Sequence, residues 1–186
     1  VIESLEGLEA FSSLTELYVR SALLKDLTPL ESLPKLTRLT LHSTSVSDIS
    51  ALASLAELRH LNLFNNQVSD LSPIASLSKL TGLNLGLNPV DDIAALSGLR
   101  RIVTLSLWDT EVADVEPLAN MRLLSQLSLA NNPQLSDISA LAALENLTSI
   151  DITRSTIADI TALSGATELR QFFARETVIA DLGPLQ

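Results

Sequence analysis

Aliphatic residues recur along this chain in one fixed phase. The frame Leu-x-x-Leu-x-Leu, with Ile, Val, Phe or Ala as occasional replacements, starts at Leu14, Leu36, Leu58, Leu80, Ile102, Leu124, Leu147 and Leu169. Seven residues beyond its second apolar position stands another aliphatic residue, as in Val46, Val68, Val90 and Val112, and two residues later comes an Asp. The Asp residues fall at 26, 48, 70, 92, 114, 137, 159 and 181, spaced by 22 everywhere except for a step of 23 between 114 and 137. An aliphatic residue and two Leu at spacings of three complete the unit, as in Asp48-Ile49, Leu52 and Leu55. The single-residue excess sits in Asn131-Asn132-Pro133-Gln134-Leu135, a turn-rich stretch able to absorb it.

A fixed period of this length is the signature of a repeat architecture. The units run 14–35, 36–57, 58–79, 80–101, 102–123, 124–146 and 147–168. Residues 1–13 supply the second half of a preceding unit, with Ser4 in the place of the Asp, and 169–186 form a truncated last one. The whole chain then reads as one domain. The alternating Leu-x-Leu segment predicts a short strand with its Leu side chains inward. Stacked units predict a parallel sheet on the concave side of a solenoid, with strands about 4.8 Å apart. The Asp half of each unit is expected to return along the convex side as a short 3₁₀ or helical turn. Because the first residue is Val1 and the last unit stops partway at Gln186, a piece of a larger protein is expected.

The Leu-x-x-Leu-x-Leu-x-x-Asn pattern resembles the leucine-rich-repeat family. The 22-residue length and the Asp-Ile-x-x-Leu half are similar to its internalin-like bacterial class. The resemblance covers essentially every residue. It implies an α/β repeat solenoid: a curved right-handed coil with a parallel β-sheet on the concave face and short 3₁₀ or helical turns on the convex face. It also implies that Asn66, Asn88 and Asn132, with Thr44, Thr110, Ser155 and Thr177 as substitutes, bond their side chains to backbone in the turn after each strand, while Ala22 cannot.

The formal charge of −10 suggests basic partners until its source is traced. Eight of the eleven Asp residues belong to the ladder, and there a carboxylate accepts backbone N–H bonds at the start of each convex turn. Pro29, Pro73, Pro117 and Pro184, each three residues after its Asp, fit the first turn, where a missing N–H is harmless. A Ca²⁺-binding ladder is the competing reading, but the glycine-rich repeat and close Asp spacing of calcium loops are missing. The acidity is thus mainly a by-product of the convex turn, and no metal or cofactor is expected.

Period-two alternation leaves three outward rows on the concave face. The first row runs Glu16, Arg38, His60, Gly82, Thr104, Gln126, Ser149 and Gln171. The second runs Tyr18, Thr40, Asn62, Asn84, Ser106, Ser128, Asp151 and Phe173. The third runs Arg20, His42, Phe64, Gly86, Trp108, Ala130, Thr153 and Arg175. Four of the six aromatic residues fall in these rows, among them the only Trp, whereas Phe11 and Phe172 fall on core positions. Trp, Tyr and Arg dominate interface energetics, so Tyr18, Arg20, His42, Phe64, Gly86, Leu87, Trp108, Asp109, Phe173 and Arg175 are the candidate partner-binding residues. Phe64 and Trp108 stand two strands apart, about 9.6 Å, which predicts an aromatic-walled notch floored by Gly86 that accepts one apolar side chain. Eight strands give a flat face of roughly 500 Å². That is less than the roughly 800 Å² per partner of a standard interface, so neighbouring loops or further repeats must contribute.

Several functions are excluded. With the adjoining Asp109, Arg154 and Glu176, the face carries Arg20, Arg38, Arg154 and Arg175 against Glu16, Asp109, Asp151 and Glu176, a balance unsuited to nucleic acid. Only His42 and His60 could act as neutral-pH acid–base groups, and their positions on adjacent strands set them about 14 Å apart. No phosphate loop, nucleophile elbow or His-Glu-x-x-His motif occurs. No Cys is present, and no apolar run reaches the roughly 20 residues of a membrane helix. The pattern therefore points to a non-catalytic module that recognises a protein partner on its concave face, with a secreted or cell-surface setting favoured over the cytoplasm. A ligand-sensing regulatory region of an intracellular signalling protein and a structural spacer are the alternatives.

Overall fold

The structure, a computed structural model, describes residues 2–186. Eight short strands are joined in one parallel sheet in chain order: β1 (Glu16–Val19), β2 (Arg38–Leu41), β3 (His60–Asn62), β4 (Gly82–Asn84), β5 (Thr104–Ser106), β6 (Gln126–Ser128), β7 (Ser149–Asp151) and β8 (Gln171–Phe173). Each strand pairs with its counterpart one unit on, as in Arg38 with His60 and Leu39 with Leu61. The extra residue of the sixth unit is absorbed where expected. Pro133 and Gln134 stand exposed while β6 and β7 stay in register, Gln126 opposite Ser149.

Every returning segment among the described residues is 3₁₀, from Leu8–Ala10 to Gly183–Leu185, and none is α-helical. The Asp ladder explains how each begins. All eight carboxylates accept the backbone N–H two residues on, at 2.7–2.8 Å, from Thr28 after Asp26 through to Gly183 after Asp181. Ser4, in the same phase, does so through its hydroxyl, at 3.0 Å from Glu6 N. The bond is an Asx turn one residue ahead of the 3₁₀ N-cap, which is itself the aliphatic Leu27, Ile49 or equivalent. Each carboxylate thus aims the chain into the turn.

Between strand and turn the Leu side chains form one continuous core running the length of the solenoid. Leu39, Leu52, Leu58, Leu63 and Leu80 are fully buried, as are their counterparts in the next units. Beside them runs a polar ladder. Asn88 donates from Nδ2 to the carbonyls of Leu63 (2.8 Å) and Leu85 (2.9 Å), and its Oδ1 accepts from Val68 N at 3.0 Å. Asn66 and Asn132 bridge neighbouring coils in the same way. At the substituted positions Thr110, Ser155 and Thr177 each donate to the carbonyl three residues back, and the Thr44 hydroxyl donates to Asn66 Oδ1. Buried amides with all partners in place fix the stagger of one coil on the next, because a shifted coil would strand them.

Some positions differ from the sequence pattern. Ile2, Phe11 and Leu182, in the first and last units, occupy core phases yet are 45%, 59% and 56% exposed. Gly82, Gly86 and Ala130, in outward rows, are buried. At Gly82 the cause is the pair of side chains flanking it: a Cβ there would lie 2.8 Å from His60 Nδ1 and 3.1 Å from Thr104 Oγ1. Gly86 is covered in the same manner by rings. Ala130 carries a single methyl, too short to rise from the sheet.

Candidate functional site

The third outward row is held by backbone just beyond the strands. The residue after every row member but Arg20 adopts a left-handed conformation: Ser43, Asn65, Leu87, Asp109, Asn131, Arg154 and Glu176, with φ between 51° and 58°. From Ser43 to Arg154 its N–H donates to the carbonyl of the row-three residue one unit on, as Asn65 to Gly86 and Leu87 to Trp108, both at 2.9 Å. Asn62 and Asn84 add Asx bonds from Phe64 N (2.9 Å) and Gly86 N (3.0 Å), and Asp151 does the same for Thr153 N (3.0 Å). Row three is therefore rigid in register.

On this rail three rings gather. His42 and Phe64 stack with centroids 5.1 Å apart, and Phe64 and Trp108 stack at 5.9 Å and are tilted by only 6°. The Phe64–Trp108 pair leans together across the intervening strand, and this corrects the expected notch. Near-parallel rings at that separation have no room between them for an inserted side chain, and Gly86 lies buried beneath them as a spacer. A Cβ at Gly86 would meet the Trp108 carbonyl oxygen at 3.0 Å and Phe64 Cδ2 at 3.2 Å. What partners can reach is the outer edge of a joined aromatic ridge. The register also sets His42 against Phe64 instead of His60, so the two histidines do not meet.

The candidate residues do not form one cluster. His42, Phe64 and Trp108 come together over Gly86, with Leu87 and Asp109 following in the adjacent turns. Tyr18, on β1 and 66% exposed, stands at the opposite end of the sheet from Phe173 on β8. Arg20 and Arg175 close the two ends of row three. Charge on the face is partly paired: Arg154 grips Glu176 through two bonds of 2.9 and 3.2 Å, and Arg38 lies 3.8 Å from Glu16.

Rows one and two hold a feature that outward-row reasoning missed. They line a hollow of about 460 Å³ that spans β2 to β8. Its central members are His60, Asn62, Asn84, Thr104, Ser106, Gln126 and Ser128, and of the candidate residues only Phe173 reaches it. The signal was present as a run of hydroxyls and amides in register, but between Arg38 at one end and Asp151 and Phe173 at the other only His60 interrupts it. Burial holds the His60 imidazole below its ordinary value of 6.5, with Arg38 and Arg59 pressing the same way and Glu16 opposing. His60 is therefore a neutral member of the lining at neutral pH. Among the described residues no three His, Cys, Asp or Glu groups gather into a metal-binding cluster. No helix among them is long and apolar enough to cross a membrane.

Comparison with known proteins decides the family. Residues 56–98 match the family of leucine-rich repeats described in two copies. The crystal structure of internalin C2 from Listeria monocytogenes superposes with a TM-score of 0.90 at 34% identity, over 93% of this chain and 76% of that one. The chain belongs to the internalin-like leucine-rich-repeat family. A second internalin of Listeria monocytogenes, inlF, matches at 28% identity and a TM-score of 0.80, with 98% of this chain but 61% of that one covered. This internalin-like chain thus spans less than two thirds of the inlF chain. The plant peptide hormone receptor RGFR1, in complex with RGF2, shares only the fold, at 16% identity and a TM-score of 0.67 over 89% of this chain and 33% of that one. No curated protein matches the sequence. The leucine-rich-repeat fold is typical of protein–protein interaction modules, and the internalin-like family is generally non-enzymatic.

Proposed function

We propose that this internalin-like chain is a non-catalytic recognition module, and that it binds a partner protein across the third row of its concave face. The observation that carries the reading is the aromatic ridge. The only Trp of the chain is partly buried at the surface and stacked on Phe64, which is partly buried as well. Folding gives no reason to place the two rings on an outward row, and aromatic anchors are what protein interfaces use most. Rigid backbone beneath the ridge supports the same reading, because a surface that is already ordered loses little entropy on binding. The complex of RGF2 with the plant receptor RGFR1 is a precedent for ligand capture on this fold. Tyr18, Arg20, Leu87, Asp109, Phe173 and Arg175 are the flanking contacts in this proposal, and a secreted or surface setting is part of it.

The test is a pull-down from bacterial and host lysates with the wild-type chain and Phe64→Ser/Trp108→Ser, both verified as folded by circular dichroism. A protein retained by wild type and lost by the double variant supports the ridge. Equal retention by both moves the site elsewhere. Capture of nothing favours the spacer.

A further inference from the structure

We propose that the hollow of rows one and two is a binding site for a neutral oligosaccharide, separate from the aromatic ridge. Its central lining consists of hydroxyls, amides and one neutral imidazole, arrayed on strands in strict register. The side chains of Thr104, Ser106, Gln126 and Ser128 make no hydrogen bond among the described residues, and the Oδ1 atoms of Asn62 and Asn84 are already committed to backbone. What faces the hollow is therefore a bed of hydroxyls, each both donor and acceptor, together with amide donors. An apolar surface laid on it would leave these groups unpaired, which is unfavourable.

A sugar chain answers the pattern group for group, since each of its hydroxyls also donates and accepts. A protein hot spot does not, because Ser and Thr are under-represented there. Charge narrows the class further. The lining's charged groups are confined to the ends, Arg38 near Glu16 and Asp151 bound to Thr153 N. With one cation, Arg38, and one carboxylate, Asp151, the lining offers no basic cluster to sulfated or uronic polymers. At the β8 end Phe173, 42% exposed, offers an apolar face against which the C–H side of a sugar ring can stack. The 460 Å³ volume lies within the range of small-molecule sites.

The experiment probes an array of neutral, sialylated and sulfated glycans with the wild-type chain. Isothermal titration with cellohexaose, maltohexaose and chitohexaose follows, using wild type, Ser106→Leu/Ser128→Leu, Gln126→Ala and Phe64→Ser/Trp108→Ser. Thermal melts monitor folding, and Gln126→Ala, at an exposed position, is the variant least able to disturb it. Saturable binding of a neutral glycan is expected. It should weaken about tenfold or more in Ser106→Leu/Ser128→Leu and measurably in Gln126→Ala, and be unchanged in the ridge variant. The proposal is overturned by no saturable binding to any neutral glycan, by preference for the acidic ones, or by binding that the trough variants leave intact. Because ridge and hollow are altered by different substitutions, loss of protein capture and loss of sugar binding are read independently.

Discussion

The Phe64 and Trp108 rings stack 5.9 Å apart although a full repeat unit lies between them, and they can do so because the row-three residue of that unit is Gly86. The glycine is needed for the close approach of its neighbours, since Gly86 itself does not have a positive φ. Adding branched bulk there drives a side chain into the Trp108 carbonyl oxygen, a backbone atom that cannot swing aside. Gly86→Val should lower stability by about 1–3 kcal/mol, as other overpacked sites do. It should also part the rings and shift the emission of the chain's single Trp. Urea unfolding followed by fluorescence measures both, and an unaltered midpoint with unaltered emission would contradict the stacked geometry.

The buried amide of Asn88 serves four backbone groups on two coils: the Leu63, Leu85 and Gly86 carbonyls and the Val68 N–H. The Leu63 carbonyl keeps a bond from Asn66 and the Gly86 carbonyl one from Asn65 N, so Asn88→Ala leaves the Leu85 carbonyl and the Val68 N–H without a partner in a region closed to water. At about 1 kcal/mol or more for each orphaned group, the loss should reach about 2 kcal/mol. Chemical denaturation checks it, and a change below 1 kcal/mol would mean that water reaches these groups.

The solenoid was legible in the sequence because each of its units repeats one physical solution. The apolar phase gave strand, core and register together, and the ladder Asp and Asn positions fell where their bonds are found. The ridge was half legible. The row and the Gly86 gap could be counted, but whether two rings stand apart or lean together is decided by ring–ring attraction, which spacing alone does not contain. The hollow was missed because a ligand-free bed of Ser, Thr and Asn looks the same in sequence as an ordinary solvated strand face. Phe11 shows the opposite error: it stands in a core phase of the repeat, yet it is 59% exposed.

Leu87 holds φ at 55°, a conformation in which the equivalent position of the other units places a polar residue, Ser, Asn, Asp, Arg or Glu. A bulky apolar side chain there is strained by about 1 kcal/mol relative to Asn, whose short polar side chain tolerates the left-handed region. Leu87→Asn should therefore stabilise the fold by about that amount in thermal or urea unfolding. An apolar side chain held in a strained conformation beside Trp108 fits a partner contact, so the same variant should bind the captured protein more weakly. Gain of stability with unchanged affinity would remove Leu87 from the proposed contact set, and loss of stability would show that its apolar packing outweighs the backbone strain.

The carboxylate ladder makes stability depend on acid in a definite direction. Backbone N–H bonds from Ser50, Ser72 and Ser139 hold Asp48, Asp70 and Asp137 below the ordinary carboxylate value of 3.8. Hydroxyl bonds from Thr28 and Thr161 do so first for Asp26 and Asp159. Between the native and unfolded values the unfolded chain binds more protons, so stability rises with pH there. The contribution is complete above the unfolded carboxylate range, about pH 5 and higher, and is lost as pH falls through the depressed native values. Melting temperature should accordingly be level near neutrality and drop steeply below the ordinary value of 3.8. An amide oxygen can accept the same N–H bond yet has no proton to gain. Asp48→Asn/Asp70→Asn/Asp137→Asn should therefore show a shallower acid decline than wild type, even if it melts lower at neutral pH. Parallel curves for the two proteins would place the acid sensitivity elsewhere, the first alternative being Glu57 with Lys79 and Glu176 with Arg154, whose carboxylates these cations hold below 4.5.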